Sequence, residues 1–384
     1  MFKLNYFNGK LSQGFVALFS GRMIQFVGAG LIGLFLPVFL YTRLNYDFRL
    51  VFLYYLAGHL LYASLLPWGI QILNKIGLRR SLRASVFFDA FYYLCFFLFD
   101  YNPDLFLVLS LIVQFFSRLT FWLPYHIDLA KFTASNDRGK EISLIWATKS
   151  FLAIVMPILS GFLINFFDFK VVFILAVLTY LMAGIPFLAL PRTRERYSWT
   201  YWQTIKKFFS KENRNLVLAN MANGAENAVA IIIWPIFIWQ ILNENYLAVG
   251  AVSSLIILIT VILQLMVGKY TDIFNKRTIL HWGSFFYSLG WFIKIFVANA
   301  FQVFIIGTYH KFTQIFKDTP FDALNYEILA DYGHYVDEYT VLKEMAVQLG
   351  KVIILVFAIL IAFYFGLNWT FILAALASLF INLL

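Results

Sequence analysis

Cysteine is nearly absent from these 384 residues. Cys95 alone rules out an intrachain disulfide, and with five histidines it argues against a structural zinc site, which usually draws on several thiolates or imidazoles. Charge is scarce as well. Asp, Glu, Lys and Arg make up 13% of the chain, about half the share usual in a soluble domain. With a mean hydropathy of +0.77, that deficit makes the bilayer the solvent to assume. Catalytic patterns are missing too: there is no glycine-framed serine, no cysteine nucleophile and no metal-spaced His/Asp cluster. His126 and Asp128, two residues apart, are too small a pattern to weigh. The chain therefore reads as a non-enzyme without cofactor or metal. A polytopic membrane enzyme is the weaker alternative.

What is present is a succession of long apolar runs. Met23 to Tyr41, Val171 to Leu190 and Asn245 to Gly268 are each near the ~20 residues a helix needs to cross the hydrocarbon. Polar breaks divide the chain into twelve expected spans, near 12–41, 47–73, 80–99, 104–130, 139–167, 170–190, 215–242, 246–268, 278–298, 300–326, 338–365 and 368–384. The third is interrupted by Asp89, and the tenth by His310, Lys311, Lys317 and Asp318. The N-terminus shows no short hydrophobic stretch with a cleavage site, so the first span is expected to double as the targeting signal. The fold class expected is an all-α integral membrane protein.

The net charge of +10 would suggest nucleic acid in a soluble protein, but its placement assigns it to orientation. Of the 30 Lys and Arg, twenty lie in the N-terminal tail and the loops after even-numbered spans, and only Arg43, Arg49 and Lys170 lie in the alternate loops. The positive-inside rule then puts both termini in the cytoplasm, in a plasma or inner membrane, with no nucleic-acid partner. The 45 phenylalanines read most simply as compositional bias of the source genome. Residues 191–214, PRTRERYSWTYWQTIKKFFSKENR, carry seven bases, two acids and, among their rings, Trp199, Tyr201, Trp202, Phe208 and Phe209. They suit a linker that also lies in the headgroup layer.

On either side of this linker the chain repeats itself. Pro37 and Pro235 stand 198 residues apart, as do Asn74 and Asp272, Gly77 and Asn275, and Arg79 and Arg277, while Pro124 and Pro320 differ by 196. Recurrence at one offset indicates a duplicated six-helix unit, 1–190 and 215–384. An even number of spans per unit makes the halves parallel.

These residues resemble the major facilitator superfamily of secondary transporters. The superfamily carries a G-x-x-x-D-R-x-G-R-R signature between spans 2 and 3, and a weaker copy between spans 8 and 9. Gly268 and Asp272 keep the family spacing in the second copy, followed by Asn275, Lys276 and Arg277. The first copy keeps Asn74, Lys75, Gly77, Arg79 and Arg80, with Gly69 one position early and asparagine in place of aspartate. A tight turn there needs small residues, which Gly77 and a positive-φ Asn275 would supply. Asp128 is expected to meet Arg79 or Arg80, and Glu327 to meet Arg277. Such latches would bias one conformation by about 1–3 kcal/mol. The plainer alternative is that these bases only hold the loop inside. MPILSG, with Pro157 and Gly161, is similar to the G-P-x-x-G-G stretch of drug–proton antiporters, and a lone proline kink explains it almost as well.

The resemblance also implies that spans 1, 4, 7 and 10 line a cavity, with spans 2, 5, 8 and 11 flanking it. Ionisable residues inside a bilayer cost at least ~2.5–3.5 kcal/mol each, so each needs a partner, water or a purpose. Seven bases lie within spans, namely Arg22, Arg118, Lys149, Lys294, Lys311, Lys317 and Lys351, against the acids Asp89, Glu226 and Asp318. Helical spacing groups Gln114, Arg118, Trp122 and Tyr125; Asn220, Asn223, Glu226 and Asn227; His310, Thr313, Gln314 and Lys317; Glu344, Gln348 and Lys351; and Arg22 with Gln25. The cavity candidates are therefore Arg22, Gln25, Gln114, Arg118, Trp122, Lys149, Asn223, Glu226, Asn227, His310, Gln314 and Lys351. Asp89 is expected as a buried pairing partner, Lys294 as a snorkelling lysine, and His59 as either packing or cavity. Glu226, a lone acid among asparagines, is a candidate for binding a proton, a cation or an arginine.

The function expected is alternating-access transport of a small organic solute, with a mild preference for an anion, by a monomer with proton coupling as an option. A proton-driven multidrug or lipid exporter is the first alternative. A non-transporting receptor is the second.

Overall fold

The computed structural model describes residues 11–133, 138–193, 197–267, 275–331 and 336–384. Among them there is no strand. The helices are α1 (Gln13–Ile32), α2 (Leu36–Arg43), α3 (Phe48–Ile76), α4 (Leu78–Phe97), α5 (Pro103–Phe132), α6 (Arg138–Phe167), α7 (Phe169–Leu188), α8 (Tyr201–Phe208), α9 (Arg214–Ala228), α10 (Trp234–Ile241), α11 (Tyr246–Val267), α12 (Lys276–Lys294), α13 (Ala300–Asp331), α14 (Val336–Phe365) and α15 (Phe371–Phe380). By length and composition, eight helical segments suffice to cross a membrane, the first being α1 continued by α2 and the sixth α9 continued by α10. Expected spans 3, 9 and 10 are occupied by α4, α12 and α13, which carry more charge. The last is a short apolar helical run, Leu367–Leu383.

Rings and aliphatic chains cover the outside. Leu265, Phe301, Ile185 and Phe363 are among the exposed large side chains, an inversion of a water-soluble surface that fits hydrocarbon. Burial separates central helices from peripheral ones. In the most apolar stretch of Arg214–Ile241, 67% of residues are buried, against 22% in Lys140–Phe167.

The internal repeat is visible in the backbone. The first and seventh expected spans each break and restart at a proline: Pro37 opens α2, and Pro235 opens α10 after a π-helical turn at Val229–Ile233. Each then ends in a pair of left-handed residues, Asn45–Tyr46 (φ 57 and 60°) and Asn243–Glu244 (φ 53 and 62°). Farther along, Asp168 (φ 77°) and Gly366 (φ 100°) turn equivalent corners. All these pairs differ by 198. At the linker end Gly77 takes φ 85°, which only glycine adopts freely, but Asn275 departs from expectation. Asn275 is extended, with φ −60° and ψ 127°, and its side chain caps α12 by accepting from the Arg277 N–H.

Two seams join the halves, α6 along α11 and α3 along α14, and the repeat relates one to the other. On the first, Gly161 and Gly250 are reciprocal. A Cβ at Gly161 would strike the Tyr246 carbonyl oxygen, and one at Gly250 that of Pro157. The Ile158 N–H, beside Pro157, donates across this seam to Ser254 Oγ at 3.1 Å. Close packing thus accounts for Gly161 in MPILSG, and the carbonyl of Pro157 lies at the facing contact.

Both ends between the halves are shut. At the linker end, Leu66 and Ile70 of α3 and Leu123 of α5 pack in one buried cluster with Leu342 and Met345 of α14. At the other end, Tyr41 accepts a hydrogen bond from Gln240 Nε2 at 2.9 Å and meets the Trp239 ring edge-on.

Candidate functional site

Buried charge collects in two places. The first lies within the second half, where α9, α12 and α13 meet. Glu226 on α9 is 2% exposed and accepts from Lys317 Nζ at 2.6 Å and from the Tyr287 hydroxyl at 2.8 Å. It is therefore not a lone acid. Lys317 on α13 also reaches Asp318 at 2.7 Å and, more distantly, Asn223 Oδ1 at 3.4 Å. Tyr287, on α12, stacks its ring on His310 at 4.1 Å. His310 Nδ1 lies 2.9 Å from Lys294 Nζ, and that ammonium sits 3.9 and 4.0 Å from the ring centres of Trp291 and Trp234. Lys294 does not snorkel, since it is 2% exposed and shares this cluster. Gln314 accepts from Lys311 at 3.0 Å and donates to Asp318 at 2.8 Å. Asn227, one residue after Glu226, is half-buried.

The second place lies in the first half and on its seam. Arg22 on α1 is caged by rings, with Phe26 at 4.2 Å, Phe121 at 4.6 Å, Trp122 at 5.1 Å and Tyr125 at 5.2 Å from its guanidinium carbon. It contacts Gln25 at 3.5 Å, and Gln25 donates to Asp89 at 3.4 Å. Ser117 donates to the other Asp89 oxygen, so Asp89 is the pairing partner expected. Gln114 turns aside and donates to the Tyr92 hydroxyl at 2.9 Å. Lys149 lies 4.4 Å from the Trp146 ring centre and 5.6 Å from that of Phe26, without an ion pair among the described residues. On the α3–α14 seam, Arg118 Nη1 lies 3.2 Å from His59 Nδ1, the same nitrogen that meets Gln348 Oε1 of the other half at 2.6 Å. Lys351, one turn beyond Gln348, is buried.

The expected latches are rearranged. Asp128 is buried and accepts from Thr193 Oγ1 at 2.6 Å, and among the described residues it pairs with neither Arg79 nor Arg80. Lys276, not Arg277, pairs with Glu327. Gly268 and Asp272 lie outside the described residues. Asn74 binds the linker: it donates to the Tyr197 carbonyl at 2.9 Å and accepts from the Tyr197 N–H at 3.0 Å. The next residue, Ser198, donates its N–H (2.8 Å) and its hydroxyl (2.6 Å) to Glu338 Oε1 at the start of α14. Adjacent linker residues thus tie the two halves together. Burial pushes the Tyr197 hydroxyl up to about 12, and it is hydrogen-bonded to Thr204 at 2.5 Å.

Among the members of the first cluster that sequence reasoning did not rank are Lys317, Asp318, Lys311, Tyr287 and Lys294. Lys317 shares the face of His310 seven residues earlier, which spacing reveals. Tyr287 and Lys294 come from the ninth expected span, which is among neither the lining nor the flanking spans that the resemblance implies, and nothing in their spacing singles them out.

Two repeated helical halves, a membrane-like exterior and ionisable side chains buried within each half and on the seam between them define a polytopic membrane protein. The chain belongs to the Major Facilitator Superfamily, whose family model matches residues 18–213 and 216–384. No curated protein sequence matches it. Among solved structures it is similar to a POT family transporter in complex with 5-aminolevulinic acid (TM-score 0.72, 12% identity, covering 97% of this chain and 95% of that one). It is also similar to the transporter FucP in the outward conformation (0.67, 13%, 96% and 96%) and to a D-xylose-proton symporter (0.66, 14%, 96% and 95%). At these identities the likeness shows the fold.

Proposed function

We propose that this chain is a secondary transporter that moves a small organic solute by alternating access, as a monomer of twelve crossings with both termini in the cytoplasm of a plasma or inner membrane. Its halves, 1–190 and 215–384, rock about a site near mid-membrane, with the linker 191–214 against the cytoplasmic leaflet. Protons are the coupling ion and Glu226 is their carrier. The observation behind this is the Glu226–Lys317–Asp318 cluster. Two carboxylates share one buried ammonium, so protonating Glu226 frees Lys317 for Asp318 alone and shifts the balance between conformations. Solute preference is set by Arg22, Arg118, Lys149 and Lys351, cations without a directly paired carboxylate among the described residues, and favours an anion. The drug- or lipid-export reading leans on MPILSG, whose Pro157 and Gly161 already have a packing role.

The test is uptake into proteoliposomes under an imposed pH gradient, across anions, neutral sugars, peptides and cationic drugs. Glu226→Gln should abolish gradient-driven accumulation and leave solute exchange without a gradient. Unchanged accumulation in that variant would remove Glu226 as the carrier.

A further inference from the structure

The short helix α8 has two faces with different neighbours. Its inner face packs on the ends of α3 and α14, one from each half, and there Thr204 and Phe208 are buried. Phe208 joins the apolar cluster that holds Leu73 of α3 and Leu342 of α14. Thr204 is hydrogen-bonded to the Tyr197 hydroxyl, so α8 is fastened to the residue that Asn74 holds. A capping box of Thr200 with Gln203 fixes the start of the helix close to Ser198. Whatever holds α8 in place therefore holds the bridge between the halves.

The outer face meets no protein. Trp202, Lys206 and Phe209 follow at steps of four and three, which puts them on one side of a helix. All three are exposed, the two rings by 76% and 75%. Residues 201–214 hold the bases Lys206, Lys207, Lys211 and Arg214 against one acid, Glu212. Lys207 pairs with that acid at 3.6 Å, and among the described residues Lys206 and Lys211 form no ion pair. Rings beside unpaired ammonium groups suit a headgroup layer, where the ring is immersed and the lysine meets phosphate. The rest of the exterior agrees. Three more exposed tryptophans, Trp68, Trp146 and Trp282, lie toward the linker ends of α3, α6 and α12, as in an interfacial aromatic belt. A soluble polyanion would use the bases and leave these rings in water.

We propose that the outer face of α8 binds the anionic phospholipid surface of the cytoplasmic leaflet, and that this binding straps the linker end shut. The inference rests on the alternating-access reading and adds to it a lipid class and a means of regulation. With the linker end closed, one helix rests on both halves while its rings and lysines face the headgroups. When α3 and α14 part, α8 can follow only one of them, and it must tilt out of that layer to do so. Lipid charge therefore weights the balance toward the closed linker end, and a neutral membrane releases it.

Amide exchange of the full chain in nanodiscs of phosphatidylcholine, with or without phosphatidylglycerol, tests the lipid site. Exchange over residues 197–208 should slow by about 10-fold or more with phosphatidylglycerol, and salt should erode the difference. Lys206→Gln combined with Lys211→Gln should return exchange to the rate in phosphatidylcholine, whereas Arg at both positions should keep the protection. Equal exchange in the two lipids, protection that persists in the Gln variant, or equal protection by soluble polyphosphate in neutral discs would overturn the lipid site. Spin labels at Ile76→Cys and Arg277→Cys, in a Cys95→Ser background, report the opening itself, since both positions are exposed at the linker end of opposite halves. The shorter distance should dominate with phosphatidylglycerol, and the longer one should gain several-fold in phosphatidylcholine alone. Two distances in a ratio indifferent to lipid charge would remove the strap and leave the rocking halves. A single distance in every lipid would remove the rocking, and the strap with it.

Discussion

Lys317 is 1% exposed and its ammonium reaches Glu226 and Asp318 together, so removing it leaves the buried Glu226 without its counter-ion, while the half-exposed Asp318 keeps its bond from Gln314. Breaking a buried pair by deleting one partner costs about 3–5 kcal/mol, because an uncompensated charge stays behind. Lys317→Met should therefore lower stability by roughly that amount in denaturant unfolding, and Glu226→Gln added to it should recover part of the loss. Additive losses in the double variant would show that the two side chains do not interact. At this scale the sequence was informative along a helix and silent across helices. Spacing placed His310, Gln314 and Lys317 on one face and Glu226 beside Asn223. It could not show that Tyr287 would close the ring around Glu226. Lys294 misled because a lysine near a helix end usually reaches for the interface. Here Trp234 and Trp291 sandwich it indoors.

Between helices, the linker matters more than its composition suggested. Its rings and lysines indicated contact with lipid, and Trp202 of α8 and Phe209 just after it are exposed. Yet α8 also buries Thr204 and Phe208, and the residues just before it bridge Asn74 to Glu338. Asn74 replaces the acid of the family signature, and its amide can both donate to and accept from the backbone of one residue, Tyr197, which a carboxylate cannot. Asn74→Ala removes two hydrogen bonds worth about 1 kcal/mol each, so amide exchange over residues 197–204 should quicken by roughly 30-fold. Unaltered exchange there would mean the bridge bears no strain in solution. No sequence pattern could have revealed it, since the partners lie 123 and 140 residues from the linker positions they hold.

For the molecule as a whole, duplication was the most legible feature, because backbone corners recur where side chains do not. Asn45–Tyr46 and Asn243–Glu244 share a conformation but only one residue type, so their kinship shows in φ and not in composition. The orientation proposed from charge is tested by labelling. In a Cys95→Ser background, Tyr101→Cys should react with an impermeant maleimide on intact cells, and Lys211→Cys only after permeabilisation. The opposite pattern would invert the topology. Tyr197 and Ser198 are neighbours, with Cα atoms ~3.8 Å apart, so the tether from α3 to α14 has no slack. The helix ends cannot drift apart gradually at this point. One set of bonds must snap before the other feels any displacement, and opening there begins as a discrete event.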